Sequence, residues 1–164
     1  FSIMGSYLYR NVAMGPTKDA SHNQYLNFAV SYDFGVTKPV FQFTKKFASN
    51  EAVQDKFWMA QLGTSTPLWG GKWMVSASYM KNQTKDDANA WSLGTKYAYP
   101  LSKRTRLYAG VEAVNDSNAG YAIEAGPDSS LHFNFDANKL ITGYGTDYLG
   151  KNVQQIFVGI NHQF

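Results

Sequence analysis

The sequence predicts an all-β fold, an antiparallel up-and-down meander of eight strands, and three observations carry that prediction. Segment after segment alternates apolar and polar residues with a period of two. The composition is 16% aromatic and 16% charged, too aromatic for disorder and too poor in charge for long polar helices. The connections alternate between short turn-forming segments and long polar ones, as a meander requires.

The clearest strand is Gln24 to Phe34. Leu26, Phe28, Val30, Tyr32 and Phe34 form one wholly apolar face, opposed by Tyr25, Asn27, Ala29, Ser31 and Asp33. Val36 to Phe47 repeats the split, with Pro39, Phe41, Phe43 and Phe47 opposing Lys38, Val40, Gln42, Thr44 and Lys46. In Lys72 to Lys81, Trp73, Val75, Ala77 and Tyr79 oppose Lys72, Met74, Ser76 and Ser78. In Asn89 to Tyr99, Trp91, Leu93, Thr95, Tyr97 and Tyr99 oppose Ser92, Gly94, Lys96 and Ala98. The last strand, Val153 to Phe164, sets Ile156, Val158, Ile160 and Phe164 against Gln155, Gly159, Asn161 and Gln163. Weaker alternation marks Phe1 to Arg10, Lys56 to Thr64 and Thr105 to Asn115, which completes the eight.

Short connections at 33–37, 67–71 and 100–104 hold the Gly, Pro and Ser of tight turns. Long ones fall near 11–23, 48–55, 82–88 and 116–152. Tight turns at one end and long loops at the other are the pattern of a transmembrane β-barrel, and residues 1–164 are read as one such segment. No apolar run is long enough for a membrane-spanning helix. Strands of about 10 residues tilted near 40° cross an apolar band roughly 25 Å tall. Aromatics gather at both margins of that band: Trp69, Trp73, Tyr97 and Tyr99 toward the short turns, Tyr79 and Trp91 toward the long loops. The competing reading, that these rings fill the core of a soluble barrel, is disfavoured by how small and polar the opposing faces are.

On the faces assigned to the lumen stand Arg10, Lys38, Lys72, Lys96 and Arg106, against Asp33 and Glu112. A basic wall concentrates anions, which predicts an anion-preferring pore. Most remaining carboxylates, among them Asp19, Glu51, Asp55, Asp86, Asp87, Asp116, Asp128 and Asp136, are placed in the long loops as solvated charges or as holders of cations that bridge lipopolysaccharide phosphates. The sequence has no cysteine, so disulfides and thiolate metal sites are excluded. His22, His132 and His162 assemble no metal site. His132 near Ser129, Ser130 and Asn134 has hydrolase residue types without a framework, so neither catalysis nor a cofactor is expected. Scattered cations and a net charge of +3 make nucleic acid a poor partner. The opening Phe1-Ser2-Ile3 holds no signal segment and reads as a mature or trimmed chain.

The ending Val158-Gly159-Ile160-Asn161-His162-Gln163-Phe164 resembles that of the Gram-negative trimeric porins common in β-proteobacteria. Tyr99-Pro100-Leu101-Ser102-Lys103-Arg104-Thr105-Arg106-Leu107-Tyr108-Ala109 resembles their penultimate periplasmic turn. The resemblance implies an outer-membrane homotrimer that passes small hydrophilic solutes, with Ile156, Val158, Ile160 and Phe164 as the signal read by the barrel assembly machinery. It also implies a 16-stranded barrel of which this chain is the C-terminal half, because no acidic, Gly-rich constriction loop is found here. The alternative is a small closed eight-stranded barrel, packed by inward Met4, Leu8, Phe57, Met59, Met74 and Tyr108, that serves as a structural anchor or adhesin.

Overall fold

The computed structural model describes residues 1–12, 21–49, 55–117, 122–124, 132–134 and 152–164. Seven long strands follow one another: β1 (Ser2–Val12), β2 (Ser21–Ser31), β3 (Lys38–Ala48), β4 (Phe57–Leu68), β5 (Gly71–Asn82), β6 (Asn89–Pro100) and β7 (Thr105–Ser117). Two three-residue strands, β8 (Ala122–Glu124) and β9 (His132–Asn134), pair with each other, and β10 (Asn152–His162) ends the chain. The eight long strands form one antiparallel sheet in the order β1-β2-β3-β4-β5-β6-β7-β10, a partial barrel with β1 and β10 at its edges. Each internal strand is hydrogen-bonded on both sides, as backbone in hydrocarbon must be.

The register sorts the side chains into two faces. Outward stand Phe28, Phe43, Ala60, Tyr79 and Trp91 along one row of partners, and Val111 and Ile156 along another. Ile156, Val158 and Ile160 are 82%, 77% and 62% exposed, so the apolar stripe of β10 faces the surroundings rather than a core. The concave face is small and polar, and its side chains bond across strands. Asn27 donates to the Ser6 hydroxyl (3.1 Å) and accepts from the Thr44 hydroxyl (2.9 Å), which ties β1, β2 and β3 together. Ser78 and Ser92, both buried, share a 2.8 Å hydrogen bond between β5 and β6.

Several strand limits differ from the sequence reading. The strand read to Phe34 ends at Ser31, and β3 starts at Lys38 rather than Val36. The alternation continues past Ser31 because the backbone pairing does: the Tyr32 N–H donates to the Pro39 carbonyl (3.2 Å) and the Phe34 N–H to the Thr37 carbonyl (3.0 Å), with the Tyr32 and Phe34 rings in contact on the same arm (4.5 Å). β4 runs to Leu68, four residues beyond its expected end, and β7 runs to Ser117, so Asp116 belongs to a strand and not to the long loop. β1 and β2 reach into the 11–23 connection, and the 116–152 connection contains the β8–β9 pair.

The β4–β5 turn shows why these connections stay short. Trp69 (φ 47°) and Gly70 (φ 77°) are both left-handed, the backbone of a two-residue hairpin turn whose twist matches the flanking strands. The Tyr97 hydroxyl donates to the carbonyls of Leu68 (2.9 Å) and Trp69 (3.0 Å) and fastens the turn to β6. At the other side of the sheet the Phe157 ring lies over Gly110.

Two outcomes follow from this packing. A Cβ at Gly110 would stand 2.5 Å from the Thr95 carbonyl and 2.4 Å from the Phe157 ring, so Gly110→Ala is expected to destabilise the wall by about 1–3 kcal/mol in urea titrations of protein refolded into vesicles. In the same assay Val158→Lys, at the middle of β10 on the outward face, is expected to cost about 2–4 kcal/mol, while Val158→Leu folds like the parent.

Candidate functional site

The two faces of the sheet are the candidate site: an apolar outward face and a more polar concave face. Along the outward face of β5, Trp73 and Lys81 are eight residues apart. At about 3.3 Å per residue and a tilt near 40°, they are separated by roughly 20 Å across the membrane, close to the height of the apolar band. Trp73 stands opposite Tyr97 near the short turns, and Tyr79 stands opposite Trp91 nearer the long loops. The Trp73 indole N–H donates to the Thr95 hydroxyl (2.7 Å), which in turn donates to the Met74 carbonyl (3.2 Å), so the polar end of the ring is satisfied within the sheet. Tyr99 continues this rim on β6. Trp69, 84% exposed, occupies the turn itself.

On the concave face the register places Lys38, Lys72, Lys96 and Arg106 toward the short-turn ends of their strands. A groove lined by Lys38, Gln42, Gln61, Met74, Ser76 and Lys96 spans β3 to β6 and brings two of these cations to one concavity. Arg10 is on the same face of β1 but at the long-loop end, opposite Asn23. Glu112 is buried on the same face, opposite Gly94, one diagonal step from Lys96 opposite Gly110. Asp33 lies just past the end of β2, where its carboxylate accepts the Gly35 N–H (2.8 Å).

Two charged residues of this face went uncounted in the sequence reading. Lys46, opposite Tyr25, extends its ammonium over the Tyr25 ring (5.8 Å) and toward Phe57 (6.0 Å). Asp116 is buried opposite Ala90. The alternation Glu112, Val114, Asp116 was the signal that could have placed it. With these, the strands of the concave face carry Arg10, Lys38, Lys46, Lys72, Lys96 and Arg106 against Glu112 and Asp116 among the described residues.

The inward candidates Met4, Leu8, Phe57, Met59, Met74 and Tyr108 all fall on the concave face by register. Phe57 and Met59 are buried there, whereas Met4 and Leu8 on the β1 edge remain exposed. The loop carboxylates behave differently from one another. Asp55 forms an ion pair with Lys85 (3.2 Å), while Asp19, Glu51, Asp128 and Asp136 lie outside the described residues. His22 stacks on Tyr9 (5.3 Å) and His162 bonds the Thr105 hydroxyl (2.8 Å). Ser129 and Ser130, and the side chains of His132 and Asn134, also lie outside what is described.

An apolar outward face rimmed by aromatics, backed by a charged polar concave face, defines the wall of a transmembrane β-barrel. The chain belongs to the Gram-negative porin family, whose model matches residues 2–119. Membership of that family places the chain in the outer membrane. Its fold is similar to that of an anion-selective porin from Comamonas acidovorans, with a TM-score of 0.65 at 21% identity over 99% of this chain. The chain spans 45% of the length of that porin, and the likeness shows the fold. No curated protein matches the chain.

Because the Asp33 carboxylate holds the Gly35 N–H in the turn, Asp33→Ala is expected to lower stability by about 1 kcal/mol, measured by urea titration.

Proposed function

We propose that the chain forms the C-terminal half of the wall of a general diffusion porin that passes small hydrophilic solutes and prefers anions. The observation that carries the reading is the imbalance on the concave face, six cations against two carboxylates, with four of the cations toward the short-turn end. Such a wall raises the local anion concentration without needing a binding pocket, and its selectivity comes from field and width. The name of the Comamonas acidovorans porin supports the same preference. No residue acts as nucleophile, acid or base in this reading, and no cofactor takes part.

In the assembled protein, the short turns face the periplasm and the long loops face outward. A homotrimer is the proposed assembly, and the barrel assembly machinery is the proposed reader of Ile156, Val158, Ile160 and Phe164. β10 presents the first three as an exposed stripe, and Phe164 lies edge-on against His162 (4.9 Å) just past the strand end. The outer loops, rich in carboxylates, are proposed to hold divalent cations that bridge lipopolysaccharide phosphates.

Planar-bilayer recording of the intact porin under a potassium chloride gradient tests the function. Steady open channels with a reversal potential on the chloride side are expected. Silence would instead support the small closed anchor, and cation preference would remove the charge argument. Replacing Lys38, Lys72, Lys96 and Arg106 together by Gln is expected to shift the reversal potential toward potassium. The shift is larger at about 0.1 M salt than at about 1 M, where screening shortens from roughly 10 Å to 3 Å.

A further inference from the structure

Where β6, β7 and β10 run side by side, the register lays out a checkerboard of large and small residues on the concave face. Lys96, Gly110 and Phe157 stand opposite one another in one row, Ala98, Tyr108 and Gly159 in the next, and Pro100, Arg106 and Asn161 in the third. Each ring has a glycine beside it. The Tyr108 ring reaches sideways from β7 over Gly159, and the Phe157 ring reaches back from β10 over Gly110, so that a Cβ at either glycine would collide with a ring. The two rings meet (6.3 Å between centres, 49° between planes) and each is half-buried. Each therefore covers the wall with one side and turns the other to the open concave side.

Three cations of this face border the rings. Lys72 stands opposite Ala98 and so two strand intervals, about 10 Å, from Tyr108 in the same row. Lys96 shares the row of Phe157, and Arg106 is two residues from Tyr108 on β7. The Arg106 guanidinium is near enough to the Lys96 ammonium for the two charges to act on each other. One carboxylate, the buried Glu112, stands diagonal to Lys96. Between the cations the floor is apolar: Ala98, Pro100 and Gly159 carry no polar side chain, and Asn161 is the one amide of the three rows. A sugar stacked here would give up hydrogen bonds to water for almost none in return, whereas a flat apolar ring bearing one negative group matches both the rings and the charges.

Resting on the pore reading above, we propose that Tyr108 and Phe157, bordered by Lys72, Lys96 and Arg106, form a subsite in the pore for small aromatic carboxylates. The ring of the solute lies on the Tyr108 face with its edge toward Phe157, and its carboxylate meets the surrounding ammonium and guanidinium groups. Charge alone does not distinguish one monovalent carboxylate from another. The rings do, and they add a choice among anions to the general preference for them.

The test records the chloride current of the intact porin in planar bilayers at neutral pH while benzoate, cyclohexanecarboxylate or acetate is titrated in. Benzoate is expected to halve the current at a concentration about three- to tenfold below that of cyclohexanecarboxylate, which has the same charge and nearly the same size, and further below that of acetate. If apolar area alone mattered, the saturated ring would bind at least as well. Tyr108→Leu loses the preference for benzoate over cyclohexanecarboxylate, and Tyr108→Phe keeps it. Tyr25→Leu, which removes a ring of the same face at the long-loop end, keeps it as well. Lys72→Gln combined with Arg106→Gln weakens all three carboxylates and leaves the ratio of the two rings as in the parent. A steady chloride current with no distinction between the two rings in the parent, or with the parent's ratio in Tyr108→Leu, overturns the subsite and leaves the pore reading standing, whereas a silent channel overturns both. Should Tyr108→Leu not assemble, Phe157→Leu reads the same ratio: a fall supports the subsite and the parent's value overturns it.

Discussion

Hydrocarbon offers no partner to a peptide group, and that constraint orders the rest of the wall. Every strand from β2 to β7 is bonded to a neighbour on each side, and side-chain choice follows from the pairing. One face can be apolar because the backbone between its side chains is already satisfied. Even the polar atoms that do reach that face, such as the Trp73 indole N–H, close their bonds within the sheet. The other face is then free to be polar. Ser6, Asn27 and Thr44, or Ser78 and Ser92, join strands there by side-chain bonds instead of by apolar packing.

This inversion explains the aromatic surplus. In a soluble fold the large rings fill the interior and the small polar residues go out. Here Trp73, Tyr79, Trp91 and Tyr99 look outward at the two margins, while many concave positions hold Ser, Gly, Asn and Gln beside Met, charged residues and a few rings such as Phe57 and Tyr108. The charges follow the same rule in a finer way. Cations are tolerated along the concave face, and on the outward face of the described strands Lys45 and Lys81 stand near the long-loop ends, at the margin where an ammonium can reach the headgroup layer.

Most of this architecture is legible in the sequence because a strand with one wet and one oily side writes its face assignment in a period of two. The number of long strands, the order of turns and loops, and the shared face of Lys38, Lys72, Lys96 and Arg106 follow from alternation alone. Strand ends are less legible where aromatic contact imitates alternation. Tyr32 and Phe34, on one arm of the turn, touch each other and keep the parity of the strand beyond its end at Ser31, while the Asp33 carboxylate between them bonds the turn. Lys46 and Asp116 obey the alternation and are legible, given closer attention to the strand margins. Neighbours across strands are a different kind of information: Lys45, Trp58 and Lys81 come side by side on the outward face only through the register between β3, β4 and β5.

The pairing of each long strand with the next long strand in the chain has a geometric consequence of its own. No connection crosses another, so the sheet can be lengthened or shortened by whole hairpins without rethreading any part of it. In a closed barrel of this kind, circumference is a matter of counting, and the width of the hole is set by how many hairpins the gene repeats rather than by how any one of them folds.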